Sequence, residues 1–187
     1  KRYQFDKGNA SSIDQDYILS LSQTKNGFLW VGLAGRGVDI MDIKNEKFYH
    51  IPYWQQQQSE NFKNNVIRDI CPVNNGTLLL STYGGFNILN SKNLNFKEID
   101  TFTYRIDAPF QHFEHHPKTK SQQLSHSSIH SSVVDARGNY WIATYGGGLN
   151  WYNPMTKTFK SYMAYLYQGS DKSFDSIFDL FYDKELD

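Results

Sequence analysis

The sequence of 187 residues has a single cysteine, no net charge and no long hydrophobic run. The lone Cys71 excludes an internal disulfide and a thiolate metal cluster. The 19 basic residues balance the 19 acidic residues, which argues against a nucleic-acid-binding protein and against a polybasic protein on a membrane surface. The longest apolar run, residues 28–35, is far shorter than the ~20 residues that span a bilayer. Nucleic acid and direct membrane contact are therefore not expected of this chain.

Aromatic residues, in contrast, are abundant. Tyr, Phe and Trp make up 16% of the chain, and Tyr and Phe contribute 13 residues each. Both residue types fit half-buried positions on a pleated sheet, so this composition favours β structure. The length is sufficient for one domain with a core of its own, or for part of a larger domain.

Three segments of the chain repeat one another, beginning at Ile18, Ile67 and Ile129. Each has a turn glycine nine residues after its isoleucine, a large apolar residue three positions beyond that glycine, then a glycine-rich bend and a later phenylalanine. The turn glycines are Gly27, Gly76 and Gly138, the apolar residues are Trp30, Leu79 and Trp141, and the phenylalanines are Phe48, Phe96 and Phe159. The repeat indicates an architecture built from copies of one unit.

Each copy is predicted to form four short antiparallel strands. An Asn-Gly turn ends the first strand in the first two copies, and this dipeptide is typical of hairpins. Four-stranded units at this spacing are typical of β-propeller blades. The predicted fold is therefore all-β, a single propeller segment over residues 1–187, and a fragment of a larger propeller. The predicted blade copies are 17–51, 66–100 and 129–163, with the last strand of a preceding blade at 1–6 and the first strand of a following blade at 174–187.

Two of these patterns have a second interpretation. The stretch "GLAGRG" at 32–37 resembles a phosphate-binding loop, but strand-like residues come after it, whereas such a loop requires a helix and a Lys-Ser or Lys-Thr pair. A tight bend between strands is therefore predicted. Near the end of the chain, acidic residues recur every four positions with apolar residues between them, so an amphipathic helix remains an alternative to the strand there. Those acidic residues are Asp171, Asp175, Asp179 and Asp183.

The three copies resemble the two-component regulator propeller repeat, whose pattern runs D-x-x-G-x-x-W-x-G-T-x-x-G-G-L and later F-x-x-Y. The third copy, "DARGNYWIATYGGGLNWYNPMTKTFKSY", matches almost throughout. The first copy has Thr24 in place of the aspartate and Leu33 in place of the threonine. The second copy keeps "STYGG" but has Leu79 and Val73 where the pattern has tryptophan and aspartate.

The resemblance implies a role in bacterial signalling. Family members form seven-bladed propellers in the periplasm, ahead of a membrane helix and a cytoplasmic histidine kinase or diguanylate cyclase, and they sense extracellular ligands that are often oligosaccharides. No catalytic motif of those outputs is present in this sequence. The expected function is thus that of a non-enzymatic periplasmic sensor region, without a cofactor, that binds a small molecule such as an oligosaccharide. The alternative functions are a protein-interaction scaffold and, less favoured, a carbohydrate-active enzyme. Association of copies, for example as a homodimer, through open propeller edges is the alternative to a fragment of a larger propeller.

The expected ligand site is derived from the propeller topology. Bends between second and third strands share one face of a propeller with the links between blades, and the insertions 52–64 and 101–128 are predicted to be such links. Loops on a rigid scaffold frequently carry function. Exposed aromatic rings stack on sugars, and arginine offers a fixed fork of donors. The candidate ligand-binding residues are Arg36, Tyr83 and Tyr145 from the bends, and Trp54, Tyr104 and Arg105 from the insertions. The alternative for each is that it only packs its loop.

The segment 111–130 holds five of the six histidines. Imidazole and carboxylate groups suit zinc, which makes a metal site conceivable there. The zinc-ligating candidates are His112, Glu114, His115 and His116. A mobile, solvated polar loop is nevertheless the preferred interpretation, so no metal ligand is predicted. His130 and the nearby serines lack an acidic residue that could orient the imidazole as in a hydrolase, so no catalytic residue is predicted either.

Overall fold

The fold is described from a computed structural model of the chain. It describes residues 1–25, 27–51, 66–73, 76–91, 96–100, 103–106, 110–118, 123–163 and 175–185. Within these ranges the strands are β1 (Ile18–Gln23), β2 (Phe28–Leu33), β3 (Val38–Asp42), β4 (Lys47–His50), β5 (Ile67–Pro72), β6 (Thr77–Thr82), β7 (Gly85–Asn90), β8 (Phe96–Asp100), β9 (Thr103–Ile106), β10 (Phe110–Phe113), β11 (Ile129–Val134), β12 (Tyr140–Thr144), β13 (Leu149–Asn153) and β14 (Thr158–Tyr162). In this described part we find no helical segment with the length and hydrophobicity of a membrane span.

The strands form three four-stranded antiparallel sheets and one hairpin. The sheet orders are β1-β2-β3-β4, β5-β6-β7-β10 and β11-β12-β13-β14, and β8 pairs with β9. The first strand of each sheet is innermost, because β5 contacts β1 on one side and β11 on the other. The three sheets are therefore consecutive blades of a propeller, and the predicted all-β propeller fold is confirmed.

The connections divide between two faces of the propeller. We call the face with the second-to-third-strand bends, residues 34–37, 83–84 and 145–148, the bend face. The first turns of the blades lie on the opposite face, which we call the turn face. Gly138, in the first turn of the third blade, has a φ of 79° and donates its N–H to the carbonyl oxygen of Asp135 at 3.0 Å. Positive φ is readily adopted by glycine, which explains the turn glycine of each repeat.

Large apolar side chains fill the space between neighbouring blades. Trp30, on β2, is fully buried between the first and second blades. The strand β6 is apolar on both faces, with Leu78 and Leu80 packed against the first blade and Leu79 against the third. Each fully buried side chain of this kind stabilises the fold by ~1.5–3 kcal/mol. The middle blade therefore has a continuous apolar strand instead of an alternating one.

Hydrogen bonds fasten the links between blades to the bend face. The N–H of Asp14 donates to the Asp39 carboxylate at 2.8 Å, and the N–H of Ser125 donates to the Asn150 side-chain oxygen at 3.0 Å. Asp39 and Asn150 occupy the same position, the second residue of the third strand in their blades. Repeat position thus determines how these links are held against the blades.

The fourth strand of the second blade differs from the prediction. It is β10, whose Phe110–Phe113 pairs with β7, and not the strand around Phe96. The strand with Phe96 is β8, which pairs with β9 in a hairpin inserted between the third and fourth strands of that blade. The predicted copy 66–100 therefore ends too early, and the insertion 101–128 is not one continuous link.

The two ends of the described chain also depart from the prediction. Residues 1–6 form no strand, and Tyr3 packs edge-on against Phe48 of the first blade at 5.7 Å. Residues 175–185 form neither a strand nor an α-helix. They nevertheless lie beside the third blade like an inner strand, since Ile177 donates its N–H to the Thr144 carbonyl oxygen at 3.0 Å.

Candidate functional site

Two exposed tyrosines stand at equivalent positions on the bend face. Tyr83 and Tyr145 each come directly after the threonine that ends the second strand of their blade, and they are 43% and 52% exposed. That threonine holds the bend: the Thr82 hydroxyl donates to the Gly85 carbonyl oxygen at 2.9 Å, and the Thr144 hydroxyl donates to the Gly148 carbonyl oxygen at 2.8 Å. The two rings are therefore presented to solvent on rigid bends.

Each inner strand contains a β-bulge at the same position. The pairing advances two residues on the inner strand for one on its neighbour, from Ile67 to Asp69 in β5 and from Ile129 to Ser131 in β11. The extra residues are therefore Arg68 and His130, and Leu19 in β1 is their equivalent. Bulges re-aim side chains and are frequent beside functional sites.

His130 lies at the centre of an aromatic cluster. Its ring stacks on Tyr145, with centroids 5.7 Å apart and an interplanar angle of 16°, and it is tilted against Tyr83 at 6.1 Å. Phe178, which is 62% exposed, meets His130 edge-on at 5.1 Å and Tyr145 at 6.1 Å. The guanidinium of Arg68 lies 5.6 Å from the centre of the Tyr83 ring. We call these five residues the aromatic platform.

The platform draws its side chains from three consecutive units of the propeller. Arg68 and Tyr83 belong to the second blade, His130 and Tyr145 belong to the third, and Phe178 lies in the segment after that blade. A molecule that contacts both tyrosines would therefore bridge two blades.

The side chains of the platform carry a positive charge. Burial of the His130 ring lowers its pKa, and the positive charge of Arg68 lowers that pKa further. His130 is therefore neutral near pH 7, and Arg68 is the cation of the platform. The side-chain nitrogens His130 Nδ1 and Arg68 Nε are buried and have no hydrogen-bond partner within the described ranges of the chain. Buried polar groups of this kind are uncommon in folded proteins.

The other ligand-binding residues predicted from the sequence are not among the residues of the platform. Arg36 is exposed in the bend of the first blade, where its charge acts on the carboxyl of Asp14. Tyr104 and Arg105 lie on β9, in the hairpin that starts from the turn face, since the N–H of Ser91 donates to the carbonyl oxygen of Gly76 in the first turn at 2.8 Å. Their predicted placement on a link of the bend face is therefore wrong. Trp54 lies outside the described residues.

Three platform residues were missed by the sequence reasoning: Arg68, His130 and Phe178. Each comes directly after the isoleucine that opens its copy, Ile67, Ile129 or Ile177. This shared position was the available signal, because equivalent positions of a repeat meet around the axis of a propeller.

Most described residues of the histidine-rich segment are buried or half-buried, whereas Gln111 and residues 116–118 are exposed. The expectation of a solvated loop is therefore wrong for residues 112–115 and 123–130. The backbone N–H of His115 donates to Ser127 Oγ at 2.8 Å, and the ring Nδ1 of His115 lies 2.8 Å from the Leu124 carbonyl oxygen. Leu124 is buried. Glu114 lies 3.5 Å from His112 and 3.7 Å from His116. Among the described residues, no group of three or more potential ligands is arranged to hold a metal ion.

Comparison with known proteins identifies the repeat. Residues 123–146, from the last link through β11 and β12 to the bend, match the model of the two component regulator propeller. The resemblance seen in the sequence is confirmed, and the chain carries a two component regulator propeller repeat. A search of curated proteins finds no match.

Solved structures of similar fold come from bacterial surface and signalling proteins. The extracellular domain of the hybrid two component system BT3049 from B. thetaiotaomicron gives a TM-score of 0.63 at 21% identity, over 92% of this chain and 20% of that one. The extracellular domain of the one component system BT4673 from the same organism gives 0.62 at 16%, over 91% and 19%. PorZ, a surface component of the type-IX secretion system of Porphyromonas gingivalis, gives 0.62 at 16%, over 98% and 26%.

These likenesses establish the fold. Their identities are low, and this chain spans only a fifth to about a quarter of the length of each similar structure. What those whole proteins do is therefore a matter for proposal.

Proposed function

We propose that this chain is part of the periplasmic sensor region of a bacterial signalling protein, and that it binds a small molecule, an oligosaccharide first of all, on the aromatic platform. The signalling role is supported by the two component regulator propeller repeat at 123–146 and by the fold shared with extracellular domains of two signalling systems. The binding role is supported by one observation above all: two tyrosines at equivalent bends flank a single histidine on one face.

The chemistry of the platform suits a ligand with flat apolar faces and polar edges. Tyr83, Tyr145 and Phe178 are each at least 43% exposed, although burial would stabilise large aromatic side chains. The hydrogen-bonded bends hold Tyr83 and Tyr145 in place, so little side-chain entropy is lost when a ligand stacks on these two rings. Rigid exposed rings of this kind are typical of binding surfaces.

The arrangement also provides a mechanism for a signal. A ligand shifts a conformational equilibrium only by its difference in affinity for the two states. Because Tyr83 and Tyr145 lie on different blades, a ligand that contacts both favours one angle between those blades. That preference is the signal that the rest of the sensor region would transmit to an output domain.

The proposal gives this chain no catalytic role. A carbohydrate-active propeller enzyme needs a pair of carboxylates ~5–9 Å apart around the bond that is cleaved. Asp42 instead shapes the turn after β3, where it accepts hydrogen bonds from the N–H groups of Lys44 and Asn45 at 3.0 and 3.1 Å. Glu46, in the same turn, pairs with Lys1.

A binding screen tests the proposal. The wild-type chain is heated with and without members of an oligosaccharide library, beside the variants Tyr83→Ala and Tyr145→Ala. A ligand at a hundredfold its dissociation constant adds ~2.7 kcal/mol of apparent stability, and either substitution is expected to abolish most of that gain. Tyr162→Ala is the matched control, because Tyr162 is 50% exposed but stacks on Trp141, away from the platform. Equal ligand shifts in all variants would refute the proposed site.

A protein-interaction scaffold is the second candidate. Among the described residues, an apolar groove lies on the side of the third blade that faces away from the second blade. Phe181, at the rim of this groove, is 87% exposed. The groove is lined by Val133, Trp141, Leu149, Trp151, Leu180 and Tyr182, among others. In the alternative drawn from the sequence, a second copy of the chain covers this open edge, and the mass of the particle in solution, measured by light scattering, tests that form of the candidate.

A further inference from the structure

Among the residues that the structure describes, the guanidinium of Arg68 has no counter-ion. Arginine is always charged in proteins, yet in the described part of the chain Arg68 forms no ion pair, and its buried Nε has no hydrogen-bond acceptor. Its guanidinium carbon lies 5.6 Å from the centre of the Tyr83 ring. A buried donor on a charged group normally has an acceptor, because a donor without one loses its hydrogen bonds to water and gains none in return.

The nearest acidic side chains in the sequence are engaged elsewhere. Asp69, next to Arg68, accepts hydrogen bonds from the N–H and hydroxyl of Ser132 at 2.7 and 3.4 Å. Asp179, next to Phe178, accepts from the Ser131 hydroxyl at 3.1 Å. Asp69 ties β5 to β11, Asp179 ties the segment after the third blade to β11, and among the described residues neither carboxylate forms an ion pair with Arg68.

A ligand that both pairs with the Arg68 guanidinium and stacks on the tyrosine rings has one negative charge and a flat body. His130 is neutral, so the platform offers a single cation. The planar fork of a guanidinium matches a carboxylate, which it binds through two parallel hydrogen bonds. A doubly charged phosphate would be only half neutralised by Arg68. The exposed rings of Tyr83 and Tyr145 are available for the ligand's flat body.

We infer that the platform selects a carboxylate attached to a six-membered ring, with Arg68 binding the carboxylate and the tyrosines stacking on the ring. This inference rests on the proposed function of the platform, and it adds the charge of the ligand. Acidic sugars and aromatic acids both have this chemistry, and the test separates them.

Calorimetric titration with matched pairs of probes tests the inference. The first pair is a galacturonic acid trisaccharide and its carboxyl-reduced, neutral counterpart, and the second pair is benzoate and benzyl alcohol. One acidic probe is expected to bind at least about tenfold more tightly than its neutral partner, which is about 1.4 kcal/mol. The preference should shrink in high salt, because salt screens charge pairs. Which pair shows it decides between a sugar and an aromatic ligand.

Variants assign the preference to Arg68. Arg68→Gln is expected to bind both members of a pair equally, and Arg68→Lys to keep part of the preference, because lysine keeps the charge and loses the fork. Arg137→Gln, on the turn face, removes the same charge from an exposed site and should leave the preference intact. Far-ultraviolet circular dichroism shows whether each variant is folded. If Arg68→Gln does not fold, Arg68→Lys and the salt dependence of the wild type decide.

The contrary results are distinguishable. A neutral probe that binds as tightly as its acidic partner, and is weakened by Tyr83→Ala, overturns the inference and leaves the proposed function standing. Binding that Tyr83→Ala and Tyr145→Ala leave unchanged, or no binding by any probe or library sugar, overturns the platform as a ligand site and the inference with it.

Discussion

The imidazole Nδ1 of His50 lies 2.8 Å from the carboxylate of Asp39, which is almost fully buried in the first blade. The other ring nitrogen, Nε2, lies 3.2 Å from the carbonyl oxygen of Ala10. Both partners are acceptors, so the ring donates from both nitrogens only when it is protonated. The protonated histidine thereby ties the first residues of the chain to the outer strand of the first blade.

This geometry predicts that the protein loses stability as the pH rises. Burial lowers the pKa of His50. The hydrogen bond to Asp39, the negative charges of Asp39 and Asp14 and the hydrogen bond to the Ala10 carbonyl together raise it by more, so the pKa of His50 lies above the ordinary 6.5. The stabilisation is complete below pH 6.5 and is lost as the pH rises through the raised value. Urea unfolding between about pH 5.5 and 9 should therefore show a decreasing free energy of unfolding, and His50→Gln should flatten that decrease. An unchanged slope in His50→Gln would contradict the assignment.

His130 predicts the opposite slope. Its pKa is lowered by burial and by Arg68, so the folded protein binds fewer protons at this site than the unfolded chain, and the stability falls as the pH drops below about 6.5. His130→Gln should remove this decrease while the decrease at higher pH persists. The same urea titrations, extended to about pH 4.5, measure both slopes. A His130→Gln variant with the wild-type slope on the acid side would count against the buried, neutral histidine of the platform.

Asp135 is expected to be the most sensitive turn residue of the third blade. Its carboxylate accepts hydrogen bonds from the N–H groups of Arg137 and Asn139, at 3.0 and 2.8 Å, and from the Trp141 indole at 3.0 Å. Asp135→Ala should lower the free energy of unfolding by about 2–3 kcal/mol, since it leaves these donors unmet. Asp183→Ala, which removes one such contact with Glu185, should cost less than about 1 kcal/mol. Equal losses would show that the Asp135 network contributes little.

The first blade lacks the aspartate that accepts the tryptophan N–H in the third blade, and we expect one substitution to restore this hydrogen bond. Thr24 stands where the third blade has Asp135, and no described residue accepts a hydrogen bond from the buried indole nitrogen of Trp30. Thr24→Asp is expected to raise the free energy of unfolding by about 0.5–1 kcal/mol, because its carboxylate can accept that N–H. In a Trp30→Phe background the gain should vanish, since phenylalanine has no N–H. The same gain in both backgrounds, measured by urea unfolding, would mean that the carboxylate acts elsewhere.

Gly148 should tolerate no side chain. Its φ is +70°, and a Cβ there would overlap the backbone oxygen of Tyr162 on the outer strand. Gly148→Ala is expected to cost about 3 kcal/mol, from left-handed strain together with the overlap. Gly138, with a φ of +79° and no atom within 4 Å of its Cβ position, is the control, and Gly138→Ala should cost only about 1–2 kcal/mol of strain. Thermal and urea unfolding of both variants measure the difference, and equal costs would contradict the overlap at Gly148.

The sequence predicted the repeat and the features that its copies share. Gly27, Gly76 and Gly138 marked the first turns because each blade requires positive φ there. Tyr83 and Tyr145 were predicted on exposed bends because a bend is defined by its place in the repeat. Both predictions depend on local backbone geometry, which recurs whenever the local pattern recurs.

The fourth strand of the second blade could not be predicted in this way. Phe96 stands at nearly the same spacing as Phe48 and Phe159, and an outer strand is specified by little more than one aromatic residue. The hairpin of β8 and β9 displaced the true partner to Phe110–Phe113, and the pattern alone does not distinguish a hairpin from a link.

Only the two tyrosines of the platform were predicted from the sequence, for a related reason. The register of β5 and β11 contains a bulge that redirects Arg68 and His130, and a bulge depends on pairing with the neighbouring strand. Sequence periodicity carries the alternation of an ordinary strand, and it does not show where one extra residue is accommodated.

The most direct test of the central claim is an NMR titration of the histidine side chains. The ring signals of the six histidines are recorded while the strongest ligand of the oligosaccharide screen is added, and His130→Gln assigns the signal of interest. We predict that the His130 signal moves with the ligand concentration while that of His50, buried against Asp39 in the first blade, stays in place. A ligand that raises the melting temperature without moving the His130 signal would contradict binding at the platform.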